Sequence, residues 1–308
     1  LRLENKMNRW VDAARPRTLP LALGSILLGN FLAYAAGKFD FVIAILATLT
    51  TLLLQILSNF ANDLGDYSNG VDNQDRKVAL RAVQTGKISQ QEMKSAVILT
   101  AALSFISGIS LLYFGLKDAS IEVWSTFLAL GIASIAAAIA YTVGKRPYGY
   151  MGLGDLSVFL FFGLIGTVGT YYLQTYRLDL AVFLPASGCG FLSVAVLNLN
   201  NLRDIENDVK TGKNSIPVRI GKTFGFYYQK ALYIAAIFCF YAFPLVAGIK
   251  IGVNQQLLLV GAYPIIQLFR ELHSGMSSEQ IDPYLKKTAL RTLFLILVFG
   301  LIQILTSQ

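Results

Sequence analysis

"FVIAILATLTTLLLQILSNFANDLGD", residues 41–66, joins an apolar run to a polar end that carries Asn59, Asn62, Asp63 and Asp66. Residues 41–60 hold no charged side chain. As a helix rising about 1.5 Å per residue, that run matches the roughly 30 Å hydrocarbon core of a bilayer. Comparable runs lie at about 19–36, 95–116, 123–143, 154–174, 180–200, 226–248, 252–270 and 289–307. The chain of 308 residues is 55% hydrophobic and 14% charged, with a mean hydropathy of +0.55. That composition excludes an ordinary soluble surface and defines an all-α membrane protein of about nine transmembrane helices in one domain, 1–308.

Alternating the chain across these spans places 22 of the 26 basic residues on one side, leaving Lys38, Lys117, Arg177 and Lys250 on the other. This bias predicts a multi-pass protein of the bacterial cytoplasmic (inner) membrane, with its N-terminus and long charged loops in the cytoplasm. Residues 1–18 read as an amphipathic lead-in, not a signal peptide. The net charge of +8 is thus a topology signal; it argues for anionic lipid or an anionic substrate and against nucleic acid. Nothing in the sequence specifies an oligomeric state. Cys189 and Cys239 fall in separate apolar spans without metal-ligand spacing and read as small hydrophobes. The single His273 sits in a polar loop, so histidine acid–base chemistry is not expected.

Fourteen of the 18 acidic residues lie on the cytoplasmic side. Two groups stand where a span meets a loop: Asn59, Asn62, Asp63 and Asp66, then Asn198, Asn201, Asp204 and Asp208. If each group continues its helix, at about 100° per residue the first fills an arc of roughly 100° and the second roughly 120°. The spacing of Asn59, Asn62 and Asp66 recurs in Asn201, Asp204 and Asp208, hinting at an internal repeat with equivalent helices around a shared cavity. Acids on one face near the bilayer need a positive partner. Oxygen donors without histidine or cysteine suit Mg²⁺, which binds through one or two carboxylates plus substrate phosphate. Alternatively, these acids pair with Arg76, Lys77, Arg203 and Lys210 as solvated helix ends; the repeated spacing favours the cation. A cation-coupled transporter is the reading from another class, which the position of the acids at span ends disfavours.

"NDLGD" (62–66) followed by Asp72, and "NNLRDIENDVKTGKNSIPVRIG" (200–221), resemble the two aspartate-rich motifs of the UbiA-type intramembrane prenyltransferases, and "YTVGK" (141–145) is similar to their Tyr-x-x-x-Lys motif. "RPRTLP", "NGVDNQDR", "YGYMGLGDLSVFLFFG" and "RDIENDVKTGKNS" resemble the branch acting on 1,4-dihydroxy-2-naphthoate. Other branches act on 4-hydroxybenzoate, homogentisate or a haem precursor. Many members carry an aspartate where this chain has Gly70; Asp72 and Asp75 follow instead, and Asp72 is favoured as the ligand.

The resemblance implies a helical bundle around a central cavity, with cytoplasmic cap segments at 61–94 and 201–225. Residues 67–81 would close over a bound diphosphate. It implies transfer of a polyprenyl chain from an allylic polyprenyl diphosphate to dihydroxynaphthoate with loss of CO₂, giving demethylmenaquinol in menaquinone synthesis. Mg²⁺ would be held by Asn62, Asp63, Asp66, Asp72, Asn201, Asp204 and Asp208, with Asp66, Asp204, Asp208, Tyr141 and Lys145 as catalytic candidates. Arg15, Asn59, Arg76, Lys77, Arg81, Lys145, Tyr148, Asn198, Arg203, Lys210 and Lys213 are candidates to bind substrate. Tyr141 and Lys145, four apart, would share a helical face. Tyr141, Tyr148, Phe161 and Phe162 are candidates to line the cavity against a carbocation.

Overall fold

The computed structural model describes residues 2–72, 78, 80–249 and 252–307, and every regular element among them is helical. α1 (Arg2–Ala14) ends at Arg15, whose left-handed backbone (φ 51°, ψ 69°) turns the chain through Pro16–Thr18 into α2 (Leu19–Ala35). α3 (Phe41–Ser68) starts under a cap from Asp40, whose carboxylate accepts the N–H groups of Val42 and Ile43 at 2.7 and 3.1 Å. Such a cap satisfies donors that the first helical turn leaves open. The helix then runs unbroken through Asn59–Asp66, so the first polar group does continue its membrane helix.

α3 packs with α4 (Gln90–Gly115) and α5 (Ile121–Ala140). At one end of this half, Leu57, Ala61, Ile88 and Met93 form a sealed apolar cluster. α4 begins earlier than the apolar run predicts because Ser89 and Glu92 form a reciprocal capping box. The other half is built on α8 (Phe183–Arg203), where Ala186, Cys189, Leu192, Ala195 and Leu199 are fully buried. Around it pack α2, a π-helical turn (Phe159–Ile165), α11 (Lys222–Val246) and α13 (Ser278–Thr306). α6 (Gly154–Val158) and α7 (Gly166–Thr175) flank the π turn. The short helices α9 (Ile205–Lys210) and α10 (Ile216–Ile220) follow α8. Both cysteines are buried free thiols and His273 is exposed, as their sequence context predicts.

Among the described residues, eight helical stretches are long and apolar enough to cross a membrane, from Asn8–Ala35 to Ser278–Thr306. The expected span at 252–270 differs. There a turn at Val253–Gln256 precedes α12 (Leu257–Glu271), a helix of 15 residues. At about 1.5 Å per residue it covers roughly 22 Å, short of the hydrocarbon core. The chain still passes back along α12. The Lys222 ammonium, at the start of α11, donates to the Met276 carbonyl at 2.7 Å, so the loop after α12 lies beside the beginning of α11. α13 then starts at the end of the bundle that holds Arg203, whose carbonyl accepts from the Ser278 hydroxyl at 2.6 Å, and leaves toward the opposite end.

Candidate active site

A cavity of about 800 Å³ lies between the two halves. Its polar end is formed where α3 finishes. Asp66, 2% exposed, accepts the Tyr150 phenol at 2.5 Å and pairs with the Arg81 guanidinium at 2.7 Å. The same guanidinium reaches Asp72 at 3.2 Å, so one cation bridges two carboxylates of the first motif. Burial by itself would lower the pKa of Arg81; Asp66, Asp72 and Asp63 more than offset this and hold it above its ordinary value. Burial, then Asp66, raises the Tyr150 phenol above its usual range and keeps it a donor. α3 can approach this turn because residue 65 is glycine: a Cβ there would lie 2.5 Å from the Thr142 carbonyl.

The first polar group divides by role. Asn59, Asn62 and Asp66 line the cavity, the Asn59 amide donating to the Ala14 carbonyl at 2.8 Å and the Asn62 oxygen accepting from Thr142 at 3.1 Å. Asp63 points elsewhere. Its two oxygens accept the backbone N–H groups of Ala82 and Val83 at 3.1 and 3.3 Å, which corrects its placement among the metal-facing carboxylates. An arc of roughly 100° is wide enough for one edge to face a cavity while the other faces protein.

The second group is broken up, contrary to the single-arc expectation. α8 stops at Arg203, and Asp204 (φ −95°, ψ 6°) separates it from α9. Arg203, 3% exposed, grips Asp204 at 2.7 and 2.8 Å and pairs with Asp282 of α13 at 2.6 Å. It also donates to Asn200 at 2.8 Å. Arg203 therefore holds α8 to α13 and does not face the cavity as a substrate ligand. Asn198 is likewise removed from the cavity: its amide donates to the Gly225 carbonyl and to Gln229 on α11, at 3.0 and 2.7 Å. Asp208 is buried and faces Lys213 at 3.5 Å, and Lys213 lines the cavity with its ammonium 6.0 Å from the Tyr150 ring centre.

Tyr150 thus stands between the two aspartate motifs, a role that the stretch "YGYMGLGD" containing it does not announce. Its carbonyl also accepts the Asn214 N–H at 2.9 Å, and Asn207 of α9 donates to the Val71 carbonyl at 2.9 Å, so the two motif ends clasp each other directly. Asn200 is a second omission: it lines the cavity one residue before Asn201, which is buried. Tyr141, Tyr148, Phe161 and Phe162 all line the cavity, the first two rings meeting edge to face at 5.4 Å. Arg15 lines it as well. Lys145 does not. α5 ends at Ala140, and the turn through Gly144 (φ 114°) leaves Lys145 and Arg146 exposed, so the shared helical face with Tyr141 is absent. Lys210 is exposed on α9. Arg76, Lys77 and Asp75 lie outside the described residues, as does the middle of the expected closing segment 67–81; on either side of it Asp72 and Arg81 are buried and paired.

The donor chemistry fits a hard divalent cation. Asp66, Asp72, Asp204 and Asp208 supply carboxylates, Asn62 and Asn201 supply amide oxygens, and the buried Asn201 side-chain oxygen has no hydrogen-bond partner. Among the described residues, however, no three acidic, histidine or cysteine side chains converge on one point. Arg81, Arg203 and Lys213 hold the carboxylates instead, so cation binding requires these pairs to rearrange.

A buried double-aspartate polar end opening on a long apolar cavity, all inside a helical membrane bundle, defines a site for an amphiphile with an anionic head. The profile of the UbiA prenyltransferase family matches residues 22–293, and the chain belongs to that family. It is 43% identical over 304 residues to the 1,4-dihydroxy-2-naphthoate octaprenyltransferase of Haemophilus influenzae, covering 97% of this chain and 96% of that one. Against the Escherichia coli enzyme of the same name it is 42% identical, covering 96% and 95%. The fold resembles a UbiA homolog from Aeropyrum pernix (TM-score 0.67, 19% identity, covering 93% and 97%). It also resembles one from Archaeoglobus fulgidus bound to GPP and Mg²⁺ (TM-score 0.62, 17% identity, covering 94% and 99%).

Proposed function

We propose that this protein transfers a polyprenyl group from an allylic polyprenyl diphosphate to 1,4-dihydroxy-2-naphthoate, releasing pyrophosphate and CO₂ and forming demethylmenaquinol. The observation that carries the reading is the junction of Asp66, Arg81, Tyr150, Lys213 and Asp208 at one end of an apolar cavity. A diphosphate with a lipid tail needs such a junction, because its head requires charge and its tail partitions into hydrocarbon at about 0.8 kcal/mol per methylene. The two octaprenyltransferases support the choice of acceptor.

Asp66, Asp72, Asp204 and Asp208, with the oxygens of Asn62 and Asn201, would hold Mg²⁺, which supplies positive charge against the departing diphosphate. Arg81 and Lys213, released from their carboxylates, would donate to diphosphate oxygens, joined by Arg15, which also lines the cavity. Their charge stabilises the leaving group as the allylic C–O bond breaks. The rings of Tyr141, Tyr148, Phe161 and Phe162 present π faces to the resulting cation and keep water from it. The acceptor's carboxylate-bearing ring carbon forms the new C–C bond with a ring electron pair. Departure of CO₂ returns a pair that restores the aromatic ring, so an ionised acceptor needs no net proton transfer. That balance is consistent with a cavity offering no histidine.

The basic asymmetry supports a cytoplasmic polar end, and α13 then carries the C-terminal end across the bacterial inner membrane. Mass spectrometry of products from purified protein given dihydroxynaphthoate, Mg²⁺ and polyprenyl diphosphates tests the reading. Demethylmenaquinol with one released pyrophosphate per turnover is expected; prenylation of 4-hydroxybenzoate or homogentisate in its place would overturn the assignment of acceptor.

A further inference from the structure

The cavity does not end near the aspartates. It runs between α3, α4 and α5, past Thr50 and Gly108, to Phe127, Tyr172 and Glu122 at the opposite end of the bundle. Three helical glycines in its wall lack a close neighbour: Gly169 of α7, whose Cβ would meet only Phe127 at 3.9 Å toward the far end, and two that stand on the way there. A Cβ on Gly131, in α5, would meet nothing within 4 Å, and one on Gly108, in α4, would meet only Thr50 Cγ2 at 3.9 Å. Helical glycines at packed positions instead answer a close approach: a Cβ at Gly163 would sit 2.7 Å from the Gly190 Cα, and one at Gly65 would lie 2.5 Å from the Thr142 carbonyl. Glycine is among the poorest helix formers. What Gly131 and Gly108 preserve is open bore.

Their depths differ. Gly131 is ten residues along α5 from Tyr141 at the polar end, roughly 15 Å, the reach of about three extended isoprenoid units. Gly108 stands against Thr50, which is 16 residues along α3 from Asp66, roughly 24 Å, or about five units. We propose that Gly131 and Gly108 determine donor length in this protein: they hold the cavity open at two successive depths so that the tail of a long prenyl diphosphate threads past them toward Phe127 and Tyr172.

This rests on the prenyl transfer proposed above, and the test separates the two. The kcat/KM of the wild type, Gly131→Phe and Gly108→Phe is measured with donors of two, four and eight isoprenoid units, dihydroxynaphthoate and Mg²⁺. With the two-unit donor both variants should stay within about threefold of wild type, whereas Gly131→Phe should lose at least about tenfold with the four- and eight-unit donors, the scale on which an apolar pocket rejects excess bulk. Gly108→Phe should lose only the eight-unit donor. Replacing a helical glycine favours folding; should Gly131→Phe be inactive with every donor, Gly131→Leu and Gly108→Phe decide by the same ratios. An eight-to-two-unit ratio unchanged within about twofold in the active variants overturns the inference. A wild type that transfers no donor at all overturns the proposed function instead.

Discussion

At the scale of single residues, two adjacent acids on one helix face have opposite duties. Asp66 meets a phenol and a guanidinium at the cavity, while Asp63 holds backbone N–H groups of the segment after α3. Asp66→Asn and Asp208→Asn are expected to lower turnover by about a hundredfold or more, the scale of removing a principal charge-stabilising group, with little change in thermal stability. Asp63→Ala should instead destabilise the protein by roughly 1–3 kcal/mol, because two buried donors lose their acceptor. Turnover and thermal unfolding of the three variants in detergent check the split. Lysines divide similarly: Lys213→Met should cost about tenfold or more in kcat/KM, as for a charged group meeting diphosphate, while Lys145→Met should stay within about threefold. Asp66, Asp208, Arg81 and Lys213 were candidates from the sequence because carboxylates and bases beside a span announce themselves, but the same signal also picked out Asp63, Arg203 and Lys145, which face elsewhere. Tyr150 was not, since one tyrosine among 15 carries no signal until the fold sets it beside Asp66.

Elements explain which local readings held. α3 continues as a helix from the bilayer run into the motif, and the 3.6-residue period correctly joined Asn59, Asn62 and Asp66. The same logic failed on α8 because the helix breaks at Asp204, where Arg203 is tied to Asp282, a partner far along the chain that no local pattern reveals. The failure at Lys145 was avoidable: Gly144 and Pro147 punctuate "YTVGKRPYG" and forbid a continuous helix through it. Gly65 carries an element-level prediction. Gly65→Ala would force α3 away from the turn after α5, costing roughly 1–3 kcal/mol of stability by overpacking and lowering activity with it; melting and turnover together would show this. A variant with wild-type stability would mean that the contact between α3 and Thr142 yields easily.

For the whole molecule, hydropathy made the membrane class readable, but the nine spans it predicted compare with eight qualifying helical stretches among the described residues, and the short α12 and the course of the cavity needed the packed bundle. The central claim is that the two aspartate ends, Asp66 on α3 and Asp208 on α9, serve one magnesium–diphosphate site across the cavity and not two separate functions. A double-mutant cycle on Mg²⁺-dependent pyrophosphate release tests it directly. Groups acting as a unit are strongly non-additive, so Asp66→Asn/Asp208→Asn should be no worse than the weaker single variant, within about threefold. Losses that multiply, the double variant falling by the full product of the singles, would contradict a shared site.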